Sequence, residues 1–217
     1  MSQLSNLYLF AYNSIQALGW AISISRILSN FVSTKSFSGA YASAGELICL
    51  LQTVAFLEVV HGAIGIVPSG VLLPLMQWGG RVHFLLAIVR RIVEVQELPS
   101  VFVTLLAWGL IEVIRYPHYA LNCVGSSLSL VTYLRYTAFI LLYPMGLAGE
   151  MWLMYQALPL IKTKNLYAYF FAGLPITYYN FVKVLLACYP FMWLKLYLHL
   201  FKQRKAKLGK QHKKKRN

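Results

Sequence analysis

Six windows of mostly apolar residues recur along this chain, each at least as long as the roughly 20 residues a helix needs to cross a bilayer. They run Leu7–Leu28, Glu46–Val67, Val71–Val93, Val101–Leu121, Leu128–Leu158 and Tyr167–Phe201. A helix that is hydrophobic all round must be buried in protein or in lipid. With 59% of its residues hydrophobic and only 12% charged, the chain has too little polar surface to face water. The expected fold is therefore all-α and membrane-embedded, a bundle of about six transmembrane helices. Residues 1–201 form the transmembrane domain, and residues 202–217 a basic cytosolic tail. The last two windows exceed one straight span, so tilting, a kink at Pro144, Pro175 or Pro190, or extension beyond the bilayer is expected. Pro68-Ser69-Gly70 reads as a compact turn. Met1 to Asn6 carries no positive charge ahead of the first window, so that window is expected to stay as an anchor rather than be cleaved.

The net charge of +14 resembles a nucleic-acid signal, but its placement argues against one. Nine Lys and Arg lie between Lys202 and Arg216, and no groove pattern of aromatic and basic residues accompanies them. Such a tail sets the C-terminus on the cytosolic side by the positive-inside rule. Lys214 and Lys215, fourth and third from the end, have the spacing of a dilysine retrieval signal for the endoplasmic reticulum; attraction to anionic lipid explains the same charges. The six acidic residues are all glutamate, which excludes chemistries built on aspartate, such as metal–diphosphate binding. Cys49, Cys123 and Cys188 are scattered in apolar runs and fit neither a disulfide framework nor a zinc site. No metal and no cofactor is expected.

Ionisable residues inside hydrocarbon cost about 2.5–3.5 kcal/mol each on insertion scales, so they need partners or a function. Four sets occur at helical spacing: Glu58 with His61; Gln77 with Arg81; Glu112 with Arg115 and Tyr116; Tyr143 with Glu150. Spacings of three, four and seven residues share a helix face, so all four sets can point into one bundle interior. Interhelical ion pairs account for Glu58, Arg81, Glu112 and Arg115 as well as chemistry does. That account is weakest for Tyr143 and Glu150, because no cation lies within two helical turns of Glu150.

Three stretches in order, Leu57–Ser69 (LEVVHGAIGIVPS), Trp108–Tyr119 (WGLIEVIRYPHY) and Leu134–Glu150 (LRYTAFILLYPMGLAGE), resemble the 3-hydroxyacyl-CoA dehydratases, also called protein tyrosine phosphatase-like membrane proteins, and most closely their plant-type branch. The resemblance spans nearly the whole chain. It implies a hydro-lyase that converts (3R)-3-hydroxyacyl-CoA to trans-2-enoyl-CoA, the third step of very-long-chain fatty acid elongation. It also implies an endoplasmic reticulum membrane location and other elongation enzymes as partners. The family's catalytic Tyr and Glu, seven residues apart, fall on Tyr143 and Glu150.

The chemistry fits those residue types. Removing water from a β-hydroxy thioester needs a base for the C2 proton and an acid for the departing C3 oxygen. Glu150 is expected as base and Tyr143 as acid; reversed or relayed roles use the same residues. Seven residues rise about 10.5 Å along an ideal helix, leaving room for substrate between the two groups. Gly146 and Gly149 either let an acyl chain approach the backbone or pack helices together. Arg115 and Arg135 could hold the phosphates of CoA or lipid phosphate. A phosphatase is excluded: the positions that its thiol and arginine would occupy after His61 hold Gly62 and Pro68. A non-catalytic membrane scaffold for elongation enzymes is the alternative.

Overall fold

A computed structural model of the protein describes residues 3–126 and 128–214, with side chains through residue 208. All regular structure among these residues is helical. The longer elements are α1 (Gln3–Thr34), α2 (Ala40–Val54), α3 (Phe56–Ala63) and α4 (Leu72–Val82), which runs into a π-helical stretch at His83–Val89. After the single turn α5 (Val93–Gln96) come α6 (Pro99–Cys123), α7 (Ser129–Arg135) and α8 (Phe139–Thr163). A short α9 (Ala168–Phe171) precedes α10 (Tyr178–Lys214).

Five helical stretches are long and apolar enough to cross a membrane: Ala40–Ala63, Leu72–Val89, Pro99–Cys123, Ser129–Thr163 and Tyr178–Leu208. Helix α1 has the length, at 32 residues, but not the apolar character to stand with them. Its polar residues Asn13, Gln16 and Ser23 are buried, and each donates to a backbone carbonyl, although the Gln16 side-chain oxygen has no partner among the described residues. Asn13 donates to Leu9 at 2.6 Å, Gln16 to Leu51 at 3.2 Å and Ser23 to Gly19 at 2.9 Å. A multi-pass membrane protein follows from the other five; a sixth crossing rests on α1.

Regular helix is interrupted within both long windows. The break between α7 and α8 falls at residues 136–138, upstream of Pro144, which lies inside α8. Pro175 sits in the connection before α10, and Pro190 lies within α10. Helix α10 continues from the apolar window into the basic region without interruption. Gly65 and Gly70, at φ 74° and 67°, take the left-handed backbone of the tight turn between α3 and α4, where a β-carbon would be strained.

Helix α6 is the centre of the bundle, packed between α1 and α8. Trp20 and Ile27 of α1, Leu105 and Trp108 of α6, and Leu153 and Met154 of α8 belong to one continuous core. Glycines permit the close approaches. A β-carbon on Gly109 would sit 2.6 Å from Ile24, and one on Gly149 would run into Thr104 and lie 3.3 Å from the Ser100 carbonyl. Gly149 is therefore a packing residue, one of the small residues by which membrane helices meet. At the end of the bundle formed by the α5 region and the end of α8, Lys164 pairs with Glu94 at 2.7 Å and Arg90 with Glu46 at 2.8 Å. The Lys164 hydrogen bond holds the exposed Glu94 carboxyl below the usual carboxylate range.

Candidate active site

Tyr143 and Glu150 stand two turns apart on α8, and both line a cavity of 360 Å³. Their side chains share a face with Gly146 and Leu147, as i, i+3, i+4 and i+7 positions must. Helix α4 closes one side with Gly79, Gly80 and Arg81, α6 contributes Trp108, and α10 contributes Tyr189 and Trp193. Most of the wall is apolar, which suits an acyl chain. Gly146 lines the cavity as well, and a β-carbon there would make ordinary contact with the Trp108 ring at 3.6 Å. The two sequence-level accounts of the glycines thus divide between them: Gly149 packs helices, and Gly146 faces the cavity.

Glu150 is 8% exposed and held by two donors. The Trp108 indole N–H donates to Oε1 at 2.8 Å, and the Tyr189 hydroxyl donates to Oε2. An ionised carboxylate is an acceptor only, so one donor on each oxygen suits the charged form. The guanidinium of Arg81 lies over the Trp108 ring, 4.8 Å from its centroid. It is also within electrostatic reach of Glu150, Tyr143 and Tyr189. Tyr143 packs edge-on against Phe139, with ring centroids 6.2 Å apart. Among the described residues its hydroxyl has no hydrogen-bond partner, and that oxygen is not sealed from the cavity. Trp193, on the same wall, keeps a buried indole N–H without a partner.

The remaining intramembrane charges form one network beside the cavity. Glu112, fully buried, accepts from Arg81 Nη1 and from Arg115 Nε, each at 2.5 Å. Arg115 then grips Glu58 with both terminal nitrogens, at 2.7 and 3.0 Å. Tyr116 and Tyr12 donate to the same Glu58 oxygen at 2.5 and 3.3 Å. These bonds tie α1, α3, α4 and α6 together, as the ion-pair account of the sequence expects. They also commit Arg115 to two carboxylates. Arg135 differs: it donates to the Tyr119 hydroxyl at 3.0 Å and meets no carboxylate among the described residues.

The two residues that hold Glu150 differ in how far the sequence marks them. Trp108 opens one of the three stretches that carry the family resemblance, so a signal existed. Tyr189 is one of 15 tyrosines, 39 residues from its partner, and nothing in its neighbourhood marks it out.

Comparison with known proteins bears on this arrangement directly. The family model described as "Protein tyrosine phosphatase-like protein, PTPLA" matches residues 52–210. The chain belongs to that family. Among PTPLA relatives, very-long-chain (3R)-3-hydroxyacyl-CoA dehydratase 2 from Homo sapiens is 34% identical over 219 aligned positions, covering 97% of this chain and 85% of its own length. Very-long-chain (3R)-3-hydroxyacyl-CoA dehydratase 1 from Mus musculus is 31% identical over 211 positions, covering 94% and 74%. Dehydratase 3 of the same kind from Mus musculus is 30% identical over 222 positions, covering 99% and 60%. No solved structure matches. The phosphatase in the PTPLA name finds no counterpart here. His61 is buried against the rings of Tyr8 and Tyr12 and hydrogen-bonded to the Tyr8 hydroxyl at 2.8 Å, and the residue after it is Gly62, without a thiol to attack phosphorus.

Proposed function

We propose that this protein is a hydro-lyase that converts long-chain (3R)-3-hydroxyacyl-CoA to trans-2-enoyl-CoA, the dehydration step of very-long-chain fatty acid elongation. The observation that carries the reading is a doubly held Glu150 carboxylate sharing one largely apolar cavity with an unengaged Tyr143 phenol. The names of the relatives support it.

With C2 and C3 of the thioester between the two groups, Glu150 takes the C2 proton. The C–H electrons become the C2=C3 double bond. The C3 hydroxyl leaves with the Tyr143 proton as water. The proton on Glu150 then returns to the tyrosinate, restoring both groups. Charge builds on the thioester oxygen as the C2 proton departs, and Arg81 on the cavity wall is the cation that stabilises it. Fixed donors in a largely apolar site lower the barrier without reorganising during the reaction. The acyl chain lies against the apolar residues of α4 and α10.

Purified full-length protein in detergent, given a long-chain 3-hydroxyacyl-CoA, is expected to release enoyl-CoA. Tyr143→Phe and Glu150→Gln should each remove most of the turnover while the protein remains folded. Full turnover in both variants would overturn the site; none in the wild type would favour a scaffold for elongation enzymes.

The protein acts in the endoplasmic reticulum membrane with its C-terminus in the cytosol, beside other enzymes of elongation. The nine basic residues of the tail and the spacing of Lys214 and Lys215 support this; Lys215 lies outside the described residues. Replacing both lysines with serine should send the protein to later compartments, and an unchanged location would refute the retrieval signal.

A further inference from the structure

Arg135 closes α7 with 8% of its surface exposed. A guanidinium so enclosed ordinarily faces a carboxylate, because a buried unpaired charge is costly. The chain has six glutamates and no aspartate, and every one is occupied elsewhere. Glu46 pairs with Arg90, Glu94 with Lys164, and Glu58 and Glu112 with Arg115 and Arg81. Glu97 accepts the Gly39 backbone N–H at 2.7 Å, and Glu150 holds Trp108 and Tyr189. Arg135 is left with the Tyr119 hydroxyl on Nη2 and with the rings of Tyr119 and Tyr136, whose centroids lie 5.6 and 5.8 Å from its guanidinium carbon, while its Nε–H is buried without a partner among the described residues.

The neighbourhood repeats this pattern. On α10, Tyr197, Leu200, Arg204 and Lys207 recur at spacings of three and four, one helix face. That face turns toward the bundle: Tyr197 donates to the Ile140 carbonyl at 3.0 Å, and Leu200 packs with Ile111 and Phe139. It carries Arg204, whose Nε–H is again buried without a partner among the described residues. Phe201, three residues before Arg204, packs edge-on against Phe139, four residues after Arg135, with ring centroids 5.1 Å apart, so this part of α10 approaches the end of α7; Lys207 follows on the exposed side of the cluster. Thr132 and Thr137, on either side of Arg135, each keep a buried hydroxyl with no partner among the described residues. The cluster is therefore rich in donors and cations, with no anion of the described chain left to satisfy it.

We propose that Arg135, Arg204 and Lys207 form a phosphate-binding site for the CoA portion of the substrate. The proposal rests on the dehydratase reading and adds to it where the polar end of the substrate is held. Guanidinium forks match phosphate oxygens bidentately, and hydroxyls of threonine supply further donors. Leu142 and Tyr143, seven and eight residues after Arg135, are the first residues of α8 to line the cavity, so the site adjoins the end of the cavity at which Tyr143 stands. The pantetheine arm of CoA is the part of the substrate that separates thioester from phosphate. Lipid headgroups carry the same phosphate chemistry, and the experiment separates the two sources.

The test compares two thioesters of one 3-hydroxyacyl chain, on CoA and on phosphate-free pantetheine, with purified full-length protein in phospholipid-free detergent. Arg135→Met and Arg204→Met should each raise KM for the CoA substrate about tenfold to a hundredfold, the span of a hydrogen bond to a charged group. The pantetheine thioester should be turned over by the variants as by the wild type. An equal loss on both thioesters, or no change on either, overturns the site. An unchanged KM for CoA, with thermal stabilisation by phosphatidylinositol vesicles that the variants lose, assigns the cluster to lipid and overturns the CoA assignment. Equilibrium binding of CoA itself tells this failure from that of the dehydratase reading: Arg135-dependent binding without wild-type turnover would leave the site standing and the reaction wrong.

Discussion

Tyr189→Phe isolates one hydrogen bond. The substitution removes a single oxygen and leaves the ring on the cavity wall near Gly80, where a β-carbon would lie 3.4 Å from that oxygen. Glu150 keeps the Trp108 indole on Oε1 and loses the donor on Oε2. A hydrogen bond to a charged group contributes about 1.5–3 kcal/mol, and about 1.4 kcal/mol is tenfold in rate. If the bond orients the carboxylate for proton abstraction, kcat should fall roughly 10- to 150-fold. KM should change little, because the apolar contacts of the substrate remain. Steady-state kinetics on the detergent-purified protein, with a long-chain 3-hydroxyacyl-CoA, gives both quantities. Trp108→Phe removes the other donor, and the double variant should lose less than the sum of the singles once the carboxylate is free to rotate. A Tyr189→Phe protein with wild-type kcat, alongside an inactive Glu150→Gln protein, would refute the argument that this clamp holds the base.

Two further outcomes concern stability. Glu112→Gln leaves Arg81 and Arg115 without their shared carboxylate, and breaking a buried pair costs about 3–5 kcal/mol. The thermal midpoint in detergent should drop by several degrees, and Arg81→Met combined with Glu112→Leu should recover part of that loss. Gly149→Val forces α6 and α8 apart at Thr104 and Ser100, with a penalty of about 1–3 kcal/mol typical of overpacking. Gly79→Ala meets open space inside α4 and should raise the midpoint slightly, since alanine is favoured over glycine in a helix interior by about 0.5–1 kcal/mol, which a thermal melt of the two variants side by side will show.

Much of the bundle is legible in the sequence because the bilayer acts on each segment separately: a window of apolar residues long enough to span is its own signal. The charged sets are legible for the same reason, since Glu58, Glu112 and Arg115 are conspicuous in hydrocarbon and find one another in the fold. Helix α1 is harder. Its buried Asn13, Gln16 and Ser23 lower its hydropathy, yet their bonds to backbone carbonyls make them compatible with burial. The interruption of regular helix at residues 136–138 escapes a reading that looks for prolines, because Pro144 sits inside a continuing helix. The site divides likewise. Tyr143 and Glu150 share a helix, so spacing places them together. Tyr189 reaches Glu150 from another helix, and helical periodicity says nothing about which face of α10 meets α8.

Helix α10 joins two places that chemistry keeps apart. Tyr189, about a third of the way along it, touches the Glu150 carboxylate, while Lys207 lies 18 residues further on the same continuous helix, about 27 Å away at 1.5 Å per residue. A continuous helix transmits axial displacement along its length, even where Pro190 removes one backbone hydrogen bond. Whatever grips the cationic end, whether substrate phosphate or the charged face of a bilayer, therefore also sets the angle at which a phenol meets the base.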